Sequence, residues 1–361
     1  MQPQTVTPPR GPPTGATRTP ASDRQTITDY GSDRNGLVWA YRFQAGEPAR
    51  VTTAEDAAQY LGPAGDGCAD GAFYWLHFSL ANAGAERWLR QFIDIPSVFY
   101  EALHAESNPT RVEHDGNALV AVIHDVLFEF HTHDIDVSTV WLVVRPGAVV
   151  SARVKPVRSI DRLRESVRAG APCRSPVALL AHLFENQATV LIDVVRSTND
   201  AVDEIEDKMF ANRLGGHRAK LSSLRRMLVR LQRLLAPEPA ALFRLVNRPP
   251  AWISEEDLID LRRSAEEFAA AAGECTALVE RAKLIQEELA AMLNEQTNRS
   301  LFVLTFVTVL CLPFNVTGAL FGMNVGGIPF ASDPAGFWVI FVLITVATVA
   351  LARSLWQRFR R

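Results

Sequence analysis

An α+β architecture is predicted, in which a cytosolic mixed α/β domain gives way to long helices and one long stalk helix continues into the first of two transmembrane helices. Three observations predict it. Residues 300–352 carry a single formal charge, Asp333, whereas residues 254–299 carry acids and bases throughout. Residues from 28 to about 155 break into short β-branched and aromatic runs between Gly, Pro, Asn and Asp, the texture of strands and turns. From about Pro176 the periodicity becomes helical and breakers become few. The chain divides into a leader at 1–27, the mixed α/β domain at 28–175, a helical hairpin at 176–253 and the stalk at 254–299. The transmembrane helices follow at 300–321 and 335–352, separated by an outer loop at 322–334 and followed by a basic tail at 353–361.

The leader holds six of the 21 prolines and no apolar run, so it reads as disordered and not as a secretory signal. In the next segment "GLVWAYRF", "FYWLHFSL", "ALVAVIHDVLFEF" and "STVWLVVRPGAVVSARV" read as strands, with "AEDAAQYL" and "AERWLRQF" as short helices between them. The hairpin is predicted as two antiparallel helices joined near Gly215 and Gly216. Its first arm ends in acids (Asp203, Glu204, Glu206, Asp207) and its second opens with bases (Lys220, Arg225, Arg226, Arg230, Arg233), either a solvated face or a field near a pore mouth. The stalk starts on Ser254 as N-cap with Asp257 three residues on, a capping-box spacing. Because the next proline is Pro313, one helix from Ser254 to Phe321 is expected, on the order of 100 Å long at 1.5 Å per residue.

Leu301–Phe321 gives 21 residues without a charge and Ala335–Ala352 gives 18, near the roughly 20 that cross a bilayer core of ~30 Å. Arg299 flanks the first span, and Arg353, Arg358, Arg360 and Arg361 follow the second, while the loop between has no Lys or Arg. That asymmetry puts both termini in the cytosol. A net charge of −3 excludes the basic footprint of a nucleic-acid partner. Four scattered cysteines without a C-x-x-C pair fit a reducing compartment.

A three-four spacing along the rod selects Leu284, Glu287, Ala291, Asn294, Asn298, Leu301, Thr305, Thr308, Leu312, Asn315 and Ala319. Hydroxyls and amides inside hydrocarbon must be held by protein or water, since unpaired they cost several kcal/mol. Two spans cannot enclose a channel, so a wet seam requires a ring of copies. The competing reading is that Thr305, Thr308 and Asn315 only bind helices together through hydrogen bonds. At the outer rim "GALFGMNVGGIP" follows, where Gly322 and the Gly326–Gly327 pair permit an abrupt helix end that turns carbonyls and the Asn324 amide to an axis. Neutral oxygens in a ring hold the water shell of a divalent cation without stripping it.

"FGMN" closing the first of two carboxy-terminal spans, Pro313 eleven residues before the Asn, the long upstream helix and the basic tail together resemble the CorA family of divalent-cation channels. "TGALFGMNVGGIP", "WLHF" (Trp75–Phe78) and "SARVKPVRSIDRLRE" are similar to its ZntB zinc-transporter branch. The resemblance implies a funnel-shaped homopentamer in a bacterial inner membrane, with self-association and the lipid bilayer as its partners. The divalent cation, Zn2+ or Mg2+, would be transported substrate and not cofactor. Gly322, Met323 and Asn324 would form the selectivity ring. Asn298, Leu301, Thr305, Thr308, Leu312 and Asn315 would line the path below, with Leu301 and Leu312 as constrictions. Met323 stands where the zinc branch often has Val or Ile, and Phe330 follows Pro329 where magnesium-type members often carry an acid.

Other chemistry is sparse. "HTHDID" places His131 and His133 on one strand face and the acids on the other, which makes the two histidines secondary metal candidates. His77, His124 and His182 sit in apolar runs as core histidines. No nucleotide loop, nucleophile elbow or paired-carboxylate arrangement is present, so no enzyme is expected. The function expected is divalent-cation transport, with zinc first and a magnesium, cobalt or nickel channel second. A membrane-anchored metal sensor or scaffold without flux is the reading from another class.

Overall fold

The computed structural model describes residues 31–62, 71–127, 136–211, 217–323 and 335–359. Its contacts divide the chain into two units, one comprising residues 1–201 with 223–279 and the other 202–222 with 280–361.

The first unit is built on a seven-stranded sheet of order β2-β1-β3-β7-β6-β5-β4. The strands are β1 (Leu37–Gln44), β2 (Glu47–Val51), β3 (Phe73–Ser79), β4 (Arg111–Asp115), β5 (Ala118–Val126), β6 (Val137–Arg145) and β7 (Ala148–Arg153). All neighbours run antiparallel except β3 and β7, which run parallel. The run read from sequence as one strand, "STVWLVVRPGAVVSARV", folds back at Pro146–Gly147 into β6 and β7. Gly147 adopts φ 83 there, a conformation that residues with a Cβ seldom take.

Alternation along the strands feeds two cores. Trp39, Tyr41, Phe43, Phe73, Trp75, Leu119, Ala121, Ile123, Val140, Leu142 and Val144 join one cluster. Ala40, Tyr74, Leu76, Phe78, Val120, Val122, Trp141, Val143 and Val150 join the other. The period of two puts successive residues on opposite faces, and both faces are covered. On the second face lie α1 (Ala54–Leu61), α2 (Gly84–Phe92) and α3 (Ser97–His104), contributing Leu61, Trp88, Leu89 and Phe99. The first face is covered by α4 (Arg158–Arg168) and parts of α5 (Pro176–Phe210), α7 (Pro237–Asn247) and α8 (Glu255–Phe321), through Ile160, Leu163, Leu180, Phe184, Leu242, Leu245, Leu261 and Ala265. This is the expected α+β architecture with long helices.

Helix ends follow local chemistry. Thr53 caps α1 by accepting the Asp56 N–H at 3.1 Å. Ser175 caps α5, accepting from Ala178 N at 2.9 Å with Pro176 at the first helical position. Ser254 caps α8 through Asp257 N at 3.2 Å. The expected reciprocal half of that capping box differs: the Asp257 carboxylate accepts from Ser175 Oγ at 2.7 Å and pairs with Arg174 at 3.2 Å. The second arm of the hairpin is two helices, α6 (His217–Leu235) and α7, because Pro237 supplies no N–H to continue the first.

In the second unit the end of α5 and the start of α6 contribute buried Val202, Ile205, Met209 and Leu221, and α8 contributes Ala282, Ile285 and Leu289. Arg281 of α8 pairs with Asp203 at 2.6 Å and with Glu206. Lys220 reaches Glu204 at 3.0 Å, and Lys208 also bonds it. The opposed charges read from the hairpin are therefore partly neutralised within the chain. The last helix is α9 (Gly336–Phe359).

Candidate functional site

Among the described residues three helices are long and apolar enough to cross a membrane: Pro176–Met209, Glu255–Phe321 and Gly336–Leu355. The apolar window of the first is 67% buried, whereas those of the other two are 0% buried. The first is thus a core helix, and the unburied apolar surface lies on α8 and α9.

Within residues 301–321 the polar side chains are Thr305, Thr308, Asn315 and Thr317. Thr305, Thr308 and Asn315 share a face with Asn298, Leu301 and Leu312, since steps of three and four return to one side of an α-helix. All six are exposed. Exposure does not single out this face, because Val303, Leu304 and Val307 are exposed as well. Chemistry does. Thr308 Oγ1 donates its proton to the Leu304 carbonyl at 2.9 Å, so outward it offers only oxygen lone pairs. Such lone pairs suit the hydrogens of a hydrated cation. Pro313 removes the N–H that would meet the Val309 carbonyl, which adds another acceptor near the seam.

At the rim, α8 ends on Phe321. Gly322 N–H still bonds the Gly318 carbonyl at 2.9 Å, and a Cβ on Gly322 would sit 2.9 Å from that same oxygen. Only glycine fits this close approach without a shift. Met323 is half exposed. Asn324, His131 and His133 lie outside the described residues. Upstream, Glu280, Glu287 and Asn294 lie exposed at heptad spacing ahead of Leu301; the two glutamates add negative charge there, and Glu280 pairs with Lys283 at 3.7 Å.

The core histidines are occupied otherwise. His77, fully buried, stacks on Trp39 at 4.1 Å, meets Ser151 Oγ at 2.7 Å and accepts from Arg153 Nε at 2.9 Å. Burial, then the Arg153 and Arg164 charges, hold its pKa well below the usual value, so the ring is neutral. His182 Nδ1 lies 3.6 Å from Cys173 Sγ, a thiol pushed up to about 11 by burial and therefore not a thiolate. Among the described residues no three His, Cys, Asp or Glu side chains gather to hold a metal. Sequence reasoning missed the Arg281 clasp on Asp203 and Glu206; the only signal was two acids three apart on a helix, which does not identify a distant partner.

Residues 70–361 match the family described as CorA-like Mg2+ transporter protein. The chain is 26% identical to the divalent cation transporter CmaX of Pseudomonas aeruginosa over 91% of its length and 97% of that protein's. It is 21% identical to the zinc transport protein ZntB of Yersinia enterocolitica over 77% of its length and 85% of that protein's. Among solved structures, full-length CmaX superposes with a TM-score of 0.75 at 23% identity, covering 92% of this chain and all of that one. The CorA magnesium transporter of Methanocaldococcus jannaschii gives 0.66 at 17% identity, covering 89% and 98%.

Proposed function

We propose, on the premise that this chain belongs to the CorA-like Mg2+ transporter family and is a divalent-cation transporter, that α8 lines its pore with the seam from Asn298 to Asn315. The observation that carries this reading is the segregation of polar groups: three of the four polar side chains in residues 301–321 lie on one face of an otherwise apolar and unburied helix. Several copies, a homopentamer in our reading, place that face round a common axis, since two spans per chain enclose no conduit. The stalk part of α8 then runs straight into the bilayer. The membrane is the bacterial inner membrane, with both termini cytosolic by the placement of Arg299 and the basic tail.

Gly322, Met323 and Asn324 form the outer ring. An Asn side chain there holds the inner water shell of a divalent cation and leaves it hydrated, which suits ions that dehydrate reluctantly. Leu301 and Leu312 are the apolar constrictions, closing by expulsion of water. Zinc is the cation assigned, on the V-G-G-x-P continuation of the outer loop. Magnesium is the second reading, favoured by the Met at 323.

The test is parallel uptake of zinc, magnesium, cobalt and nickel into proteoliposomes by the unaltered chain and by Asn324→Ala. Zinc flux that exceeds the others and is lost in the variant is the expected result. Equal flux from both proteins removes Asn324 from the filter, magnesium flux above zinc reverses the assignment, and metal binding with no flux makes the chain a tethered sensor.

A further inference from the structure

The residues by which α6 meets its own chain are accounted for. Leu221, Leu224, Leu228, Leu231 and Leu235 are buried. Lys220 reaches Glu204 of α5 at 3.0 Å, and Ser222 and Gln232 meet Gln286 and Thr276 of α8 at 3.2 and 3.1 Å. Arg230 pairs with Asp136 at 2.7 Å. That leaves Arg218, Arg226 and Arg233, which are exposed and, among the described residues, make no hydrogen bond or ion pair. One edge of the helix is thus cationic and unanswered.

α8 carries the opposite charge in the same condition. Glu274 and Glu288 are exposed and, among the described residues, equally unpaired. Each stands seven residues from Arg281, and steps of seven return to one side of an α-helix. Arg281 turns to α5, where it holds Asp203 and Glu206, so the two acids lie on the α5 flank of α8. Thr276 and Gln286, which turn to α6, each stand five residues from Arg281, about 140° round the helix. Within one copy the acids of α8 therefore point away from α6. Their heights nonetheless match its arginines. In the first unit the Gln232–Thr276 bond sets Arg233 within about one turn of the level of Glu274; in the second the Ser222–Gln286 bond does the same for Arg218 and Glu288. Along their own helices the two arginines are about 22 Å apart and the two glutamates about 21 Å, at 1.5 Å per residue.

We infer that the arginine edge of α6 seats against the glutamate edge of α8 in the next copy of this chain, Arg233 facing Glu274 and Arg218 facing Glu288. Rotation about an axis along the helices keeps each residue at its height and carries one flank to the other. The contact is then head-to-tail, the kind that closes into a ring. Arg226, seven residues from Arg233, adds to the positive field of the same edge. Two opposite charges at matched spacing fix the register between copies and reject a slipped one, in which like charges meet. This inference rests on the proposed ring of copies and names what holds it together outside the membrane.

The experiment is subunit exchange of the full-length protein in detergent, followed by energy transfer after mixing separately dye-labelled populations. The double variant Arg218→Glu, Arg233→Glu should exchange about tenfold faster than the unaltered chain, and so should Glu274→Arg, Glu288→Arg, because each sets like charges together. All four reversals in one chain should restore the original rate to within about threefold. Should a variant not fold, the unaltered chain decides alone: its exchange must quicken as NaCl rises from about 50 to about 500 mM, where screening shortens the reach of exposed charges. Exchange unchanged in either double variant leaves those charges to a partner other than a copy and overturns the interface. So does a fourfold variant as fast as the doubles, or an unaltered chain indifferent to salt, and in each of these cases the ring itself stands. An unaltered chain that is monomeric in detergent and in lipid nanodiscs removes the ring as well.

Discussion

Between Leu261 and Leu289, α8 buries Leu261, Ala265, Phe268, Ala271, Cys275, Leu278, Ala282, Ile285 and Leu289; beyond Leu289 the same helix buries no residue, and Leu304 is 65% exposed. The buried positions of the first stretch recur every three or four residues and alternate with Glu and Arg, as expected of a helix with one protein-facing stripe. From Leu301 to Phe321 every side is apolar except the seam and Thr317. The difference teaches that hydrophobicity and burial part company along one backbone: the first stretch finds its apolar partners within its own chain, and the second leaves its apolar side chains unburied. α5 marks the opposite case, apolar enough for a membrane yet packed into the core.

Mutations sharpen that contrast. The largest effect is expected at Phe268, fully buried and 6.5 Å from the ring of Phe184. Phe268→Ala should cost about 3–5 kcal/mol in urea unfolding followed by tryptophan fluorescence, whereas Leu304→Ala should leave that transition in place. Next comes charge. Leu304→Arg is expected to cost about 3 kcal/mol on insertion and to deplete the protein from the membrane fraction. The same substitution at Ile259, also exposed but in the polar stretch, should stay within about 0.5 kcal/mol. If both behave alike, the two stretches do not face different solvents. The smallest effect is at the start of the helix: Ser254→Ala removes the bond to Asp257 N and should lower stability by about 1 kcal/mol, read from the same urea curve.

Much of the fold was legible because burial imposes a period. Strands β1, β3, β5, β6 and β7 are apolar on both faces and announce themselves. β2 (EPARV) and β4 (RVEHD) do not; they are the sheet edges, half solvated and rich in charge, as edge strands must be to avoid pairing with other chains. α3 and α4 escaped; neither has a side-chain cap bond, but α2, which was read as a helix, has none either, so the missing cap is not the reason. The capping box at Ser254 was half right because the Asp257 carboxylate found Ser175 and Arg174, partners that folding alone brings near. The seam was legible since its spacing needs only a helix. The bond from His124 N–H to the buried Glu238 carboxylate was not, because the two stand 114 residues apart.

The central claim is that one side of α8 faces water inside the bilayer. It is tested most directly by replacing Cys68, Cys173, Cys275 and Cys311 with Ser, placing single cysteines at residues 301–319, and measuring their reaction with a membrane-impermeant thiol reagent in liposomes. Fast labelling at 301, 305, 308, 312 and 315, slowed by the transported cation, with 303, 304, 307 and 314 inert, is the predicted result. Uniform labelling round the helix, or none on the Thr and Asn side, would contradict it.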